Sequence, residues 1–279
     1  MIPSRRHVLG LGAAAAGLTL IPSLPALAED DPFNLKGRFV QSGFAVGRAK
    51  PGAELWVDGT SRGPTGADGS FYVGLDRDSP ASCSIEIHDG TRIDKTTITV
   101  APTTYDIQRV DGLPQDTVTP TKPELLARIK AEAALKNEAF ASRLDADYFT
   151  GGFKWPLEHF VVSGHFGNQR VLNGTPTSPH LGFDMAAPTG TPIHAPQKGL
   201  VVLSETDLFY EGGLLLIDHG QGLISMYLHQ SRVIARKGDL VLPGQVIGEV
   251  GAKGRATGPH LCWRLKWTDR HMDPSLMVA

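Results

Sequence analysis

Apolar and polar residues alternate along much of the chain, and this pattern predicts short β-strands separated by turns. In the amino-terminal part, residues 53–57 alternate and run into the turn pair Asp58 and Gly59, and a hairpin is predicted around Asp89 and Gly90. Several short strands at regular spacing indicate a small β-sandwich. The predicted strands of this region are residues 53–57, 70–74, 84–88 and 96–100.

The carboxy-terminal half has short apolar segments with a glycine or proline every few residues and no helical pattern between them. This arrangement predicts a mostly antiparallel sheet. The predicted strands are residues 199–204, 213–218, 224–229, 246–250 and 260–265.

One helix is predicted between these two β regions. Residues 112–123 are rich in proline and threonine and indicate a linker, and residues 121–124 have the spacing of a capping box. Apolar residues then recur at helical spacing, with charged residues on the other face. We therefore expect a packing helix between two domains, with its apolar positions at Leu126, Ile129, Ala133, Phe140 and Leu144.

The first 28 residues have the pattern of an export signal. Arg5 and Arg6 form a twin-arginine pair, an apolar stretch runs from Val8 to about Leu20, and residues 26–28 are a small-x-small cleavage site. The apolar stretch is too short to span a membrane. The sequence therefore predicts a mostly β protein with a signal peptide (1–28), a β-sandwich (29–112), a linker and helix (113–150) and an antiparallel β-sheet domain (151–279).

The composition restricts the possible functions. A chain of 279 residues with 41% hydrophobic and 20% charged residues fits a globular protein of one or two domains. Its net charge of -2 gives no indication of nucleic-acid binding. The two cysteines, Cys83 and Cys262, are expected to be free thiols, because twin-arginine export carries proteins that fold in the reducing cytosol.

Candidate chemistry is concentrated in the carboxy-terminal half. On a strand, His260 and Cys262 point to the same side, with α-carbons about 6.5–7 Å apart, which suits one metal ligand and one acid or base beside it. His180 and Asp184 would lie about 13 Å apart on a straight strand, so a bend at Gly182 is needed to bring both to one metal.

Each of these residues also has a purely structural interpretation. A His-x-Cys pair or a His-x-x-x-Asp pair arises often by chance, and His229, which shares a strand face with Tyr227 and Ser225, could be a packing residue. His219 is expected in a turn. The remaining candidates, His165, His194 and His271, have no partner pattern and are expected to be structural.

Taken together, the motifs of residues 150–275 resemble the lysostaphin-type (LytM-like) zinc endopeptidases of bacterial cell walls. The resemblance covers residues 179–195, Tyr227-Leu-His229, residues 237–248 and residues 257–262. Residues 164–170, with Asn173 and Gly174, resemble the loop at the cleft edge in a periplasmic branch of that family, which often carries an amino-terminal β-domain.

The resemblance implies a role for each matching residue. His180 and Asp184 match the first two zinc ligands, and His229 and His260 match the histidines that orient water and transfer protons. Cys262 occupies the position of the third ligand, where the family has a histidine. Arg170 and Asn173 are implied to contact substrate.

A cysteine at this position can bind zinc, but it changes the charge of the site. Zinc accepts thiolate sulfur at about 2.3 Å and imidazole nitrogen at about 2.0–2.1 Å. One Asp with two histidines leaves a net charge of +1 on the metal site, whereas His, Asp and a Cys thiolate leave it neutral. A neutral site acidifies bound water less, although zinc deaminases hydrolyse with a neutral His/Cys/Cys site.

The resemblance therefore implies a periplasmic zinc endopeptidase that cuts peptide cross-links of peptidoglycan. The alternative is a decayed domain that has lost catalysis through Cys262 and binds peptidoglycan or activates another wall hydrolase. The expected cofactor is Zn²⁺, and the expected partners are peptidoglycan and a cell-wall amidase or division protein. Neither a nucleic acid nor a membrane anchor is expected.

Overall fold

The structure is a computed structural model that describes residues 31–279, and the expected signal peptide lies outside the described residues. The chain is mostly β with antiparallel sheets, as the sequence predicts. No helix within residues 31–279 is both long and apolar enough to cross a membrane.

Two small antiparallel sheets form the amino-terminal part. One has the order β1–β2–β5 and the other the order β4–β3–β6–β7. Alternate residues of β3 and β6 are buried, which places the apolar face of the sheet inward as the alternation predicts. The strands are β1 (Lys36–Arg38), β2 (Phe44–Arg48), β3 (Glu54–Val57), β4 (Thr60–Pro64), β5 (Ser70–Gly74), β6 (Ser82–His88) and β7 (Ile93–Thr99).

Residues 107–118, which follow these two small sheets in the sequence, pack against the carboxy-terminal part of the chain. Strand β8 (Ile107–Val110) pairs in parallel with β10 (Gln169–Leu172), and β11 (Thr175–Pro176) pairs with the other edge of β10. A short helix, α1 (Gln115–Val118), follows β8. Residues on both sides of the expected linker therefore pack beside the carboxy-terminal sheet.

The predicted helix is present as α2 (Pro123–Phe140), but two details of the prediction were wrong. The helix begins at Pro123, so Lys122 is the N-cap and no side chain caps the helix. Proline favours the first helical position, where its missing N–H costs nothing, and Thr121 falls outside. The helix also ends before Leu144, because the Ser142 hydroxyl and the Leu144 N–H both donate to the Asp218 carboxylate.

The carboxy-terminal part is built on an eight-stranded sheet. Seven of its strands follow the order β18–β14–β15–β16–β20–β12–β9, and the eighth, β21, pairs with β20. A three-stranded sheet, β13–β19–β17, lies next to it, and 3-10 helices span Tyr148–Gly151 and Pro274–Met277. The strands are β9 (Val161–Gly164), β12 (Phe183–Ala186), β13 (Pro192–His194), β14 (Gly199–Leu208), β15 (Gly212–Asp218), β16 (Leu223–Gln230), β17 (Arg232–Val233), β18 (Leu240–Val241), β19 (Val246–Glu249), β20 (His260–Trp267) and β21 (Arg270–Met272).

The large sheet is buried on both faces. One face joins the amino-terminal sheets in a single hydrophobic cluster, in which Tyr72 lies edge-on to Phe149 and Trp267, with ring centroids 5.5 and 6.0 Å away. The other face packs under α2 through Leu135, Ala139 and Phe140. Cys262 lies on this second face, so α2 covers the sheet next to the candidate metal ligands.

His219 is a buried structural residue at the end of β15. Its Nδ1–H donates to the Lys198 carbonyl at 2.7 Å, and its Nε2 accepts from the Ser225 hydroxyl at 2.7 Å. The Ser225 oxygen lies 2.8 Å from the Tyr227 hydroxyl, which is placed to donate to it. Every polar atom of the ring is thus satisfied only while the imidazole is neutral.

We expect the neutral His219 to make the protein less stable in acid. Burial is the main cause that lowers the pKa of His219 to about 4, from an ordinary value of 6.5. Because the unfolded chain binds this proton at a higher pH than the folded chain, the free energy of unfolding falls as the pH drops below about 6.5. The contribution of this residue between pH 7 and pH 5 is up to about 2 kcal/mol.

Chemical denaturation at pH 7 and pH 5 checks this expectation. His219→Gln should be less stable than the parent at pH 7 but should lose less stability on acidification. The exposed His159 provides the control, since His159→Gln should follow the parent at both pH values. Equal losses in the parent and in His219→Gln would contradict the assignment.

Candidate metal centre

Three potential ligands converge on the second face of the large sheet. Strands β12 and β20 are antiparallel neighbours, and their register places Asp184 directly opposite Cys262. His180 lies just before β12, with its Nε2 3.1 Å from Asp184 Oδ1 and 3.4 Å from Cys262 Sγ. One ligand atom from each residue lies within 4.8 Å of the other two, and all three residues are buried.

A glycine allows the chain to pass over this cluster. A Cβ atom at Gly182 would lie 2.7 Å from Cys262 Sγ and 2.8 Å from Arg264 Cγ. Neither distance is compatible with a side chain, so only glycine lets His180 fold back against β20. The structure therefore has a change of direction before β12 where the sequence requires a bend.

The His180 ring is held with one nitrogen toward the cluster. Its Nδ1–H donates to the His165 carbonyl at 3.2 Å, which leaves the Nε2 lone pair facing Asp184 and Cys262. Burial lowers the pKa of His180, although Asp184 opposes that effect. Burial therefore favours the neutral ring, which is the form that binds metals. His165 contributes its backbone, which agrees with its expected structural role.

The Asp184 carboxylate divides its two oxygens between different partners. Oδ2 accepts a 2.6 Å hydrogen bond from Arg170 Nη2, whereas Oδ1 is buried and accepts no hydrogen bond. Burial would raise the pKa of Asp184, but the neighbouring His180 and Arg170 hold it far below its usual range. A buried anionic oxygen without a hydrogen bond is costly, and a cation at this point would satisfy it.

Cys262 completes the cluster with a buried sulfur. Its Sγ accepts a 3.4 Å hydrogen bond from Arg264 Nε–H. Burial, reinforced by Asp184, raises the pKa of the Cys262 thiol to about 12, so a bound cation would have to displace the proton. Cys83 is also free and buried, but it lies in β6 of the amino-terminal part.

His229 and His260, the two histidines that the sequence resemblance assigns to proton transfer, lie beside the cluster. The ring centroids of His229 and His260 are 4.7 Å apart. The Nδ1–H of His229 donates to the Lys253 carbonyl at 2.8 Å, and that of His260 donates to the Gly258 carbonyl at 2.9 Å. Both Nε2 atoms are therefore acceptors, and that of His260 lies 3.9 Å from Asp184 Oδ1. Burial, followed by the neighbouring His260, lowers the pKa of His229 to about 3.

His229 also has an unusual backbone conformation. Its φ angle is +67°, a left-handed value that costs free energy in a residue with a side chain. The conformation places its N–H against the Glu211 carbonyl at 2.7 Å at the end of β16. The surrounding structure therefore holds this imidazole in a fixed place beside the cluster.

The two residues expected to contact substrate have different positions. Arg170 lies beside the cluster, with its Nη2 on Asp184 and its Nε donating to Gln108 Oε1 at 3.3 Å. Asn173 lies in the turn after β10 and exchanges hydrogen bonds with the backbone of Leu113. Its amide therefore holds the segment after β8, and a direct contact with substrate stays a prediction.

Sequence reasoning missed two arginines next to the cluster. Arg264 follows Cys262 by two residues on the same strand face, a spacing that could have identified it. Arg255 lies in the glycine-rich loop before β20, and no periodic signal marks its position. Its Nη1 donates to the Thr117 carbonyl at 3.3 Å, and its guanidinium carbon lies 4.8 Å from the centre of the Tyr210 ring.

The cluster fits a tetrahedral zinc ion. Bond lengths of about 2.0–2.3 Å at tetrahedral angles separate ligand atoms by roughly 3.3–3.8 Å. The separations of 3.1 and 3.4 Å from His180 Nε2 are close to this range. Three protein ligands leave a fourth position open, as in catalytic rather than structural zinc sites.

Comparison with known proteins agrees with this arrangement. The model of "Peptidase family M23" matches residues 178–274, which include all three candidate ligands, His229 and His260. Residues 178–274 belong to peptidase family M23. This assignment confirms the resemblance inferred from the sequence motifs.

Part of the chain is similar to named peptidoglycan enzymes. The peptidoglycan DD-endopeptidase ShyA of Vibrio cholerae is 39% identical over 114 residues, which are 40% of this chain and 26% of that protein. The DD-carboxypeptidase/endopeptidase Mpg of Neisseria meningitidis is 34% identical over 125 residues, or 44% of this chain and 29% of that protein. The chain therefore matches little more than a quarter of the length of either relative.

A structural likeness extends beyond the M23 domain. The crystal structure of a protein from Pseudomonas aeruginosa assigned to peptidase M23 superposes with a TM-score of 0.66 and 29% identity. The match covers 86% of this chain and 95% of the other. It therefore includes much of the fold outside residues 178–274.

We expect zinc binding to depend on Cys262. Cys262→Ser should lose most of the bound zinc, because a neutral hydroxyl is a poor replacement for a thiolate. Cys262→His should retain zinc, since imidazole is also a good zinc ligand. The matched control is Cys83→Ser, which removes the other buried cysteine and should leave zinc binding unchanged.

Zinc stoichiometry after dialysis distinguishes these cases for all four proteins. Replacement of zinc by cobalt adds a second measurement, because a sulfur-to-cobalt absorption band should be present in the parent and in Cys83→Ser only. Equal zinc content in the parent and in Cys262→Ser would show that Cys262 is not a ligand.

Proposed function

We propose that this protein is a zinc endopeptidase that hydrolyses peptide cross-links of peptidoglycan. The observation that carries the proposal is the convergence of His180, Asp184 and Cys262 with two further imidazoles whose Nε2 atoms are free to accept. A relative of the chain is named as a peptidoglycan DD-endopeptidase and another as a DD-carboxypeptidase/endopeptidase, which supports this substrate class.

The metal and the two flanking histidines have different roles in the proposed reaction. When bound, zinc supplies Lewis-acid chemistry that polarises the scissile carbonyl and makes a water molecule more acidic. We assign proton transfer to His260, because its Nε2 lies 3.9 Å from Asp184 Oδ1 and its side chain keeps 15% of its surface exposed. His229 stays neutral above its pKa of about 3 and orients the water by accepting a hydrogen bond.

Digestion of purified sacculi tests the proposal. The zinc-loaded mature protein should reduce the amount of cross-linked muropeptide dimers, and His260→Ala should abolish most of this activity while it retains zinc. His194→Ala, at a histidine of β13 outside the cluster, is the matched control and should be active. Intact dimers after treatment with the zinc-loaded parent would overturn the proposal.

A second candidate function rests on the replacement of the family's third histidine by Cys262. In that case the domain binds peptidoglycan or activates a cell-wall amidase without cutting. Parent protein that sediments with sacculi, binds no zinc and stimulates an amidase would favour this function. Parent protein that does not bind sacculi at all would exclude it.

We also propose that the chain reaches the periplasm by the twin-arginine route. The support is the Arg5–Arg6 pair before an apolar segment, together with a thiolate ligand that benefits from metal loading in the reducing cytosol. Arg5→Lys combined with Arg6→Lys should leave precursor in the cytosol when cell fractions are probed for the protein. An unchanged periplasmic yield of mature protein would contradict both the route and the argument from metal loading.

A further inference from the structure

Two guanidinium groups beside the metal centre lack a carboxylate partner. Within residues 31–279, neither Arg255 nor Arg264 forms a salt bridge. The hydrogen-bond partners of their side chains are one backbone carbonyl, that of Thr117, and one sulfur, that of Cys262. Neither guanidinium is therefore paired with a carboxylate in direct contact, which is unusual for partly buried arginines, and Arg264 alone has a potential anionic contact in the Cys262 sulfur.

The nearby carboxylates already have other cationic partners. Asp184 Oδ2 accepts from Arg170, and Glu211 Oε1 accepts from Lys136. Glu211 Oε2 accepts no hydrogen bond from either arginine. The surroundings therefore hold four cationic side chains, Arg170, Arg255, Arg264 and Lys136, against the two carboxylates of Asp184 and Glu211.

The two arginines face open space on both sides of the cluster. A cavity of about 210 Å³ beside His180 is lined by Arg255, Arg264, Thr177 and Ser178. A second cavity, of about 100 Å³, lies beside His229, and its charged lining residues are Arg255, Arg264, Arg170 and Glu211. A ligand in either cavity would reach the guanidinium groups while its neighbouring atoms lie at the metal centre.

The two guanidinium groups that neighbour Arg255 favour an anionic ligand at this residue. The pKa of Arg255 is lowered, first by burial and then by the neighbouring charges of Arg264 and Arg170. An anion placed between the guanidiniums would reduce this repulsion. Because guanidinium presents a planar fork of N–H donors, a carboxylate is well suited to bind it through two parallel hydrogen bonds.

We propose that Arg255 and Arg264 form a binding site for a free carboxylate of the substrate peptide, next to the bond that is cut. The inference rests on the proposed function for the identity of the peptide. It defines the substrate class as a cross-link with an unmodified carboxylate within reach of the scissile carbonyl, as in the α-carboxylate of a diamino acid. The same cross-link with a carboxamide at that position is a poor substrate.

Each arginine also has a possible structural role, and the experiment must distinguish that role from direct binding of the carboxylate. Arg264 could serve only to position the Cys262 sulfur, and Arg255 could serve only to hold the segment after β8 through Thr117. Both structural roles would change the hydrolysis of the carboxylate and carboxamide substrates by the same factor. Only a direct contact with the carboxylate changes the ratio of the two rates.

The test compares two synthetic cross-linked peptide dimers that differ only in this carboxylate or carboxamide. We expect the zinc-loaded parent to have a kcat/KM at least about tenfold higher for the carboxylate dimer, as charge-assisted hydrogen bonds imply. Arg255→Gln should bring the two rates to within about twofold, and Arg255→Lys should restore part of the preference. Arg236→Gln, at an exposed arginine that lines neither of the two cavities, is the control and should keep the full preference.

A binding measurement tests the carboxylate site independently of hydrolysis. Calorimetry with the metal-free parent should detect tighter binding of the carboxylate dimer than of the carboxamide dimer, and Arg255→Gln should remove the difference. Arg264→Gln should also reduce it, with its zinc content measured in parallel because Arg264 contacts Cys262.

The outcomes decide between the two ideas. Preferential binding of the carboxylate dimer without hydrolysis by the zinc-loaded parent would support the carboxylate site and overturn the endopeptidase. Hydrolysis of both dimers at equal rates, or an unchanged preference in Arg255→Gln, would overturn the carboxylate site and leave the endopeptidase. If the parent neither binds nor cuts either dimer, both are wrong.

Discussion

The metal centre depends on the antiparallel pairing of β12 with β20, which sets Asp184 opposite Cys262. The register is fixed because the opposite face of β20 is buried through Leu261, Trp263 and Leu265. A slip of one residue would move these apolar side chains to the face that carries the candidate ligands and Cys262 to the opposite face, so the hydrophobic core specifies the geometry of the cluster. Gly182 then determines whether His180 can join them.

The cysteine and its arginine neighbour form one unit. A thiolate ligand at the position where the sequence resemblance implies a histidine would lower the charge of the candidate metal site by one, and Arg264 would supply one positive charge at 3.4 Å from the sulfur. The same hydrogen bond reduces the cost of a buried anionic sulfur. A thiolate ligand without a nearby cation would be harder to form in this cluster, because burial and Asp184 both raise the pKa of Cys262.

The sequence predicts most of the fold because alternation and turn residues are local signals. The strands near residues 53–57, 70–74 and 213–218 lie close to their predicted positions, since each has an apolar face and a glycine at or beside one end. The details that failed depend on other parts of the chain. The helix ends early because Asp218, far along the sequence, accepts from Ser142 and Leu144, and no local pattern contains that information.

The motifs predicted the candidate ligands and the two flanking histidines, but part of what surrounds them lies outside residues 178–274. Gln108 contacts Arg170, and the Thr117 carbonyl contacts Arg255, so the segment from β8 to α1 borders the metal centre from residues before position 178. Together with Leu113, which lines the cavity at Asp184 and His260, this segment narrows the space that a substrate can occupy. The matches to the relatives named as peptidoglycan peptidases cover only 26% and 29% of the length of those proteins. Because the walls of this cavity are contributed by a different part of the chain, substrate choice has to be argued from the residues of this protein and not from the shared domain alone.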